Sequence, residues 1–181
     1  MQLKEIKQSG KYHFNGKIIN LRVDDIILPN GKESKREVVE HNGGSCLLVE
    51  KNDKILFVKQ FRYPVGKPLL EIPAGKIDKG EDPLTTAIRE LEEECGLIPL
   101  KIEKLFEFYP SPGYANEKLY IYQVKEFKRA KKSPDEDEFL EVKWIKTEKV
   151  RELIQKGKIE DAKTLIALLN YFLIKAEKER V

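Results

Sequence analysis

The stretch that decides the reading of this chain is Gly75–Leu97, GKIDKGEDPLTTAIRELEEECGL. Asp82-Pro83 opens a helix there. An Asp side chain accepts hydrogen bonds from the first free N–H groups, and Pro suits the first helical position, where its missing N–H costs nothing. Gly96 suits the helix stop, because glycine enters the left-handed region without steric cost. Wound at about 100° per residue, residues 83–95 place Glu90, Glu93 and Glu94 on one narrow face. Leu84, Ala87, Ile88, Leu91 and Cys95 form a separate face that can pack into a core. Three carboxylates within a turn repel one another. A divalent cation would neutralise them, and hard oxygen donors select Mg²⁺ or Mn²⁺. From the helix alone, a solvated acidic face compensated by Arg89 and surface lysines is an equally good account.

Working outward, Ser45–Glu50 and Ile55–Phe61 read as a hairpin around Lys51–Lys54, and Leu69–Pro73 as a short strand entering Ala74-Gly75. Residues 17–28 and 36–41 read as strands on either side of a turn at 29–32, and Asn42-Gly43-Gly44 breaks the chain. The first forty or so residues are therefore expected to make a small antiparallel β lobe, with domains at 1–42 and 43–181. Beyond the helix, strands at 101–109 and 118–127 flank a Pro/Gly-rich loop, and an acidic loop at 133–138 precedes a strand at 140–145. Two helices follow, at 148–156 and 161–178. The second carries an apolar stripe through Leu165, Leu168, Leu169 and Phe172 that predicts packing on a sheet. Strands, one helix, more strands and two helices predict an α+β fold with a mixed sheet, not a doubly wound parallel one.

The bulk properties narrow the functional class. With 34 Lys+Arg against 31 Asp+Glu, the formal net charge is only +3, which gives no case for a nucleic-acid partner. No apolar run is long enough to span a bilayer and the N-terminus is polar, so no membrane partner is expected and cytoplasm is the expected location. Cys46 and Cys95 sit in apolar stretches and show no zinc spacing with the two histidines. They are expected to be ordinary thiols without a disulfide.

The full spacing decides between the two accounts of the helix. Five residues separate Gly75 from Glu81 and seven separate Glu81 from Arg89-Glu90-Leu91; then come Glu93-Glu94 and Gly96-Leu97. This pattern resembles the Nudix box, with each defining position filled. The resemblance implies a Nudix-type α/β/α sandwich with a mixed sheet, in which Glu90 and Glu94 bind Mg²⁺ (Mn²⁺ as the alternative). Glu93 binds metal directly or through water, and the carbonyl of Ala74 completes the set. It gives Arg89 the task of orienting Glu93 or Glu90, and makes Glu81 a support of the loop rather than a catalytic group. The base is expected on the acidic loop, Glu136 first and Glu138 second, with a solvated turn as the bland alternative.

Three features resemble the ADP-ribose branch of that family: Gln60-Phe61-Arg62-Tyr63-Pro64 before Leu70–Gly75, Pro112 fifteen residues beyond Leu97, and the β-rich N-terminal lobe. By this likeness the reaction is hydrolysis of ADP-ribose to AMP and ribose 5-phosphate, by a homodimer joined through that lobe. Arg36 and Arg62 would contact the diphosphate or the adenine, with Tyr12 or Phe14 stacking on the base, and Glu117 would hold the substrate from the other side. Glu71 would reach a second metal or merely finish its strand. Hydrolysis of another nucleoside diphosphate sugar or a dinucleotide, and binding of ADP-ribose without cleavage, are the rival readings. The three intact carboxylates argue against the last, and the small net charge argues against RNA cap removal.

Overall fold

The computed structural model describes residues 3–132 and 139–178. The chain divides into two compact units, one of residues 1–43 with 109–118, the other of residues 44–108 with 119–181.

The first unit is a three-stranded antiparallel sheet in the order β1-β2-β3, with β1 at Ile6–Asn15, β2 at Asn20–Ile27 and β3 at Glu33–Glu40. The sequence pattern locates β2 and β3 but not β1. All ten residues of β1 are exposed, so no polar–apolar alternation marks it. The loop Pro110–Asn116, read from sequence within the second domain, groups with this unit instead, as part of Tyr109–Lys118. Val39 donates its N–H to the Tyr114 carbonyl at 2.8 Å and accepts from Asn116 at 3.1 Å, while the His41 N–H meets the Asn116 side chain at 2.8 Å.

The second unit is an α/β/α sandwich, as the resemblance implies, around the mixed sheet that the order of elements predicts. Its strands are β4 (Gly44–Lys51), β5 (Lys54–Arg62), β6 (Lys67–Glu71), β7 (Ala74–Lys76), β8 (Leu97–Phe108), β9 (Leu119–Arg129) and β10 (Leu140–Lys146). The path runs β10-β5-β4-β9-β8, with β4 and β9 parallel and the other neighbours antiparallel. Alternation along a strand sends successive side chains to opposite faces. Cys46, Leu48, Ile55 and Phe57 enter one core layer under helices α2 (Thr147–Gln155) and α3 (Ala162–Lys178). Leu47, Val49 and Leu56 enter the other, under α1 (Pro83–Cys95) through Ala87 and Leu91.

One irregularity of the sheet positions the site. The β4–β5 hairpin turns at Asn52 and Asp53, both left-handed at φ 51 and 57, and the two strands pair only next to that turn. They then splay apart. β6 pairs with the far end of β5, and β7 pairs with Gly44–Cys46 at the start of β4. The connector between β6 and β7, Ile72-Pro73, fills the split, where the Pro73 carbonyl accepts from the Leu47 N–H at 2.8 Å. The segment leading into Gly75 is thus fixed on both sides by sheet.

Candidate active site

Helix α1 occupies the predicted residues. Asp82 caps it by accepting from the N–H groups of Leu84 and Thr85, and Gly96 closes it in the left-handed region at φ 65. Its orientation differs from the polarity reading. The buried arc is Thr86, Ala87, Glu90, Leu91 and Glu94, while Leu84 is exposed and Ile88 only half-buried. Two of the three predicted ligand carboxylates therefore point inward. Glu90 is 8% exposed and Glu94 is 2% exposed. Both meet the β7 segment. Glu94 accepts from the Ala74 N–H at 3.3 Å, and Gly75 lies so close to Glu90 that an added Cβ would stand 1.8 Å from its carboxyl carbon. The glycine at this position is needed for close approach.

Arg89 binds the acidic groups into one cluster. Its Nε and Nη2 donate to the two oxygens of Glu81 at 3.1 Å each, and its Nη1 donates to Glu90 and to Glu93 at 2.8 Å each. Both expected partners, Glu90 and Glu93, are engaged together. Glu81 also accepts from Thr86 Oγ1 at 2.8 Å and from the Asp78 N–H at 3.3 Å, which ties the loop before the helix to its second turn. The guanidinium beside it holds the Glu81 carboxyl down at about 2. An open groove of about 480 Å³ runs along this face of α1, lined by Arg89, Glu92, Glu93 and Lys131.

Arg62, predicted to contact substrate, ends β5. It makes a two-point pair with Glu71, Nε to Oε1 and Nη2 to Oε2, each at 2.7 Å. Glu71 neither ends its strand in solvent nor stands unpaired. It is 1% exposed, and Lys163 of α3 donates to its Oε2 as well. Burial pushes the Glu71 carboxyl up, but Arg62 and Lys163 outweigh it and the net shift is downward. Lys163 also binds Asp161, which caps α3 by accepting from the Thr164 N–H at 3.0 Å and from Thr164 Oγ1 at 2.5 Å. Thr164 Oγ1 in turn accepts from the Ile72 N–H at 2.9 Å, closing a ring from Glu71 through α3 back to the next residue of the chain. Sequence reasoning gave Asp161, Lys163 and Thr164 no role. The available signal was Asp161, Lys163 and Thr164 standing immediately before the apolar run Leu165–Leu169.

Arg36 and Glu117 belong to the first unit. Arg36, on β3, donates through Nε to Glu5 at 3.0 Å, and Glu117 lies 3.5 Å from His41 Nδ1. Tyr12 donates to Glu40 at 3.0 Å. Glu136 and Glu138 lie outside the described residues. Cys46 and Cys95 are free thiols, Cys46 buried.

The donor chemistry of Glu90, Glu93 and Glu94 suits a hard divalent cation. In the arrangement described, protein donors serve these groups: Arg89 for Glu90 and Glu93, the Ala74 N–H for Glu94. Among the described residues no three acidic, thiol or imidazole side chains converge tightly enough to hold an ion as they stand. The site therefore fits a cation by donor type, with the Arg89 guanidinium as the positive charge between two of the carboxylates.

Comparison with known proteins agrees with this layout. Residues 39–168 match the NUDIX domain, and residues 8–39 match the nucleoside diphosphate sugar hydrolase N-terminal domain. The chain is 46% identical over 158 residues to an ADP-ribose pyrophosphatase of Bacillus subtilis (strain 168), covering 86% of this chain and 85% of the relative. It is 41% identical over 170 residues to a protein of Bacillus methanolicus named methanol dehydrogenase activator, covering 92% of each. A solved structure described as an ADP compounds hydrolase superimposes with a TM-score of 0.85 over 98% of this chain and 97% of that one; at 19% identity the likeness is one of fold. A domain match across most of the length, carried on a box whose glycine, arginine and glutamates meet in space, means that this chain belongs to the Nudix family.

Proposed function

We propose that this chain hydrolyses the diphosphate bridge of ADP-ribose to AMP and ribose 5-phosphate with a divalent cation, Mg²⁺ in the first place and Mn²⁺ as the alternative. The observation that carries the reading is the inward turn of Glu90 and Glu94 onto Ala74-Gly75. Buried carboxylates are costly unless donors or positive charge serve them; Arg89 and the Ala74 N–H do so in the arrangement described, and a bound cation would serve the same oxygens. Glu90, Glu93, Glu94 and the Ala74 carbonyl would hold the cation. When bound, it screens the phosphate oxygens and lowers the pKa of an attacking water. In the reaction one P–O bond of the bridge breaks and one P–O bond to water forms, so each product leaves as a phosphomonoester. Arg89 keeps Glu90 and Glu93 in place, and Arg62 is the cation for the substrate phosphates. Arg36 and Glu117 of the first unit are assigned to the nucleotide. Glu136, or failing it Glu138, takes the proton from water. ADP-ribose as the substrate is supported by the Bacillus subtilis relative, and nucleoside diphosphate sugars as the class by the match at residues 8–39.

The protein works as a cytoplasmic homodimer in this reading. Support for self-association comes from β1, exposed along its whole length with Ile6, Tyr12 and Phe14 among its residues. No helix among the described residues is long and apolar enough to cross a membrane.

The test is AMP release from ADP-ribose with and without Mg²⁺, beside a Glu94→Gln variant and a panel containing GDP-mannose and dinucleotides. Metal-dependent release that the variant loses by several orders of magnitude is expected. Preference for another panel member would replace the substrate and keep the chemistry; binding without cleavage would replace the enzyme with a sensor. A second reading, stimulation of a dehydrogenase, is favoured by the relative named for that role. Adding the chain to a methanol dehydrogenase assay tests it, and an unchanged rate removes it.

A further inference from the structure

Glu71 is a carboxylate at 1% exposure whose two oxygens serve three nitrogen donors: Arg62 Nε, Arg62 Nη2 and Lys163 Nζ. Burying charges in this way is a poor route to stability, because well-packed apolar residues of similar volume do as well or better. What a two-point pair supplies is direction: it fixes the plane of the guanidinium as well as its position. Of Arg62's nitrogens, Nε and Nη2 are committed to Glu71, while the side chain as a whole remains 39% exposed. Glu71, which holds Arg62, ends the strand that leads through Ile72-Pro73 into Ala74, whose N–H donates to Glu94 at 3.3 Å, so the holder of the guanidinium and the carboxylate cluster are tied to one segment of chain.

We propose that Glu71 is a positioning residue, which holds Arg62 so that its Nη1 edge faces the diphosphate of the substrate. This rests on the reading of the chain as a nucleoside diphosphate sugar hydrolase. Glu71 in turn has little freedom. Lys163 joins it to Asp161, Asp161 is fixed as the cap of α3, and Thr164 grips the Ile72 N–H next door. Without Glu71, Arg62 keeps its charge but loses its direction, and a wandering cation stands where an oriented fork is required. Lys163 would then be left with Asp161 alone. The specific consequence is that Glu71 acts on substrate binding through Arg62 and by no other route.

A double-mutant cycle on the whole chain tests this, with KM and kcat for ADP-ribose and the dissociation constant measured by calorimetry. Arg62→Ala is expected to raise KM by about tenfold to a hundredfold, the usual worth of a charged hydrogen bond. Glu71→Gln is expected to reproduce most of that rise with kcat nearly unchanged, and the double variant to bind no worse than Arg62→Ala alone. Additive losses, or a fall in kcat and thermal stability at constant KM, would make Glu71 a structural residue and overturn the proposal. If Glu71→Gln does not fold, Arg62→Lys decides: it keeps the charge but cannot form the two-point pair, so KM must rise about as in Arg62→Ala. A wild-type KM in Arg62→Lys overturns the proposal while leaving the hydrolase reading intact. A wild-type chain that neither cleaves nor binds any nucleoside diphosphate sugar overturns both.

Discussion

Gly75 lies directly against Glu90: a Cβ built on the glycine would stand 1.8 Å from the Glu90 carboxyl carbon and 1.9 Å from Oε1. Gly75→Ala therefore has to push the Glu90 side chain aside. The neighbour that must give is also tied to Arg89 at 2.8 Å, so the displacement passes into the acidic cluster. A misplacement of this order near reacting groups costs roughly 10²-fold in rate. We expect Gly75→Ala to fold, and to lose about that factor in ADP-ribose hydrolysis. Activity within threefold of wild type would mean that the exact seat of Glu90 is unimportant.

The hydroxyl of Thr164 accepts from the Ile72 N–H and donates to Asp161, with no solvent access to the side chain. Thr164→Val keeps the shape and removes the hydroxyl, leaving a buried N–H without its acceptor. The expected loss in unfolding free energy is about 1–3 kcal/mol. Thr164→Ser retains the hydroxyl and gives up only a methyl group, so its loss should be the smaller one. Urea unfolding of the two variants checks this; equal losses would show that volume at Thr164 matters and the hydrogen bond does not.

These two sites mark where sequence pattern stops being informative. Helix α1 was legible to the residue, because Asp82-Pro83 and Gly96 act locally on the helix ends they flank. The β4–β5 hairpin was legible for a similar reason, since two β-rich runs around a turn are a local pattern; its division into two core layers was not read. The inward turn of Glu90 and Glu94 was not. A helical wheel sorts residues by polarity, whereas what these carboxylates turn towards is backbone, the Ala74 N–H for Glu94 and the close-lying Gly75 for Glu90, which leaves no side-chain signal. The ring through Glu71 was hidden by distance, as Lys163 lies 92 residues further along the chain. Strand β1 was missed because every residue in it faces outward in the single chain. Arg89, in contrast, was readable in kind: a cation among three carboxylates predicts pairing, and the structure adds Glu81 as its two-point partner.

That last pair gives a dependence on pH. Arg89 holds the Glu81 carboxyl at about 2, down from an ordinary 4.5. A group whose pKa is depressed by folding stabilises the folded state above its unfolded value, and that contribution is lost as pH falls through the folded value. Arg89→Met removes the cause. We expect its melting temperature to lie below that of wild type at every pH above about 4.5, with the gap narrowing steadily towards pH 2. Thermal melts of both proteins from pH 7 downwards check this. A gap that is the same at pH 7 and pH 2.5 would assign the loss to the packing of the arginine stem instead of the Glu81 pair.

The exposed strand leads to the remaining prediction. Among the described residues of the first unit, Asp24 and Ile26 are the only buried side chains of a polar or hydrophobic type, so its sheet encloses almost no core of its own. Ile6, Phe14 and Ile18 stand 54%, 55% and 64% exposed. A three-stranded sheet left in that state gains little from burial. A second copy of the chain would cover these groups, and apolar faces of this kind mark association sites. Light scattering should then give a mass near twice the 21.0 kDa of one chain. Phe14→Asp places a charge in the covered face and should shift the mass to that of one chain at low micromolar concentration, with far-ultraviolet dichroism preserved. A wild-type protein that is already monomeric, or a variant that stays dimeric, would leave β1 as an exposed edge and would remove the dimer from the functional reading.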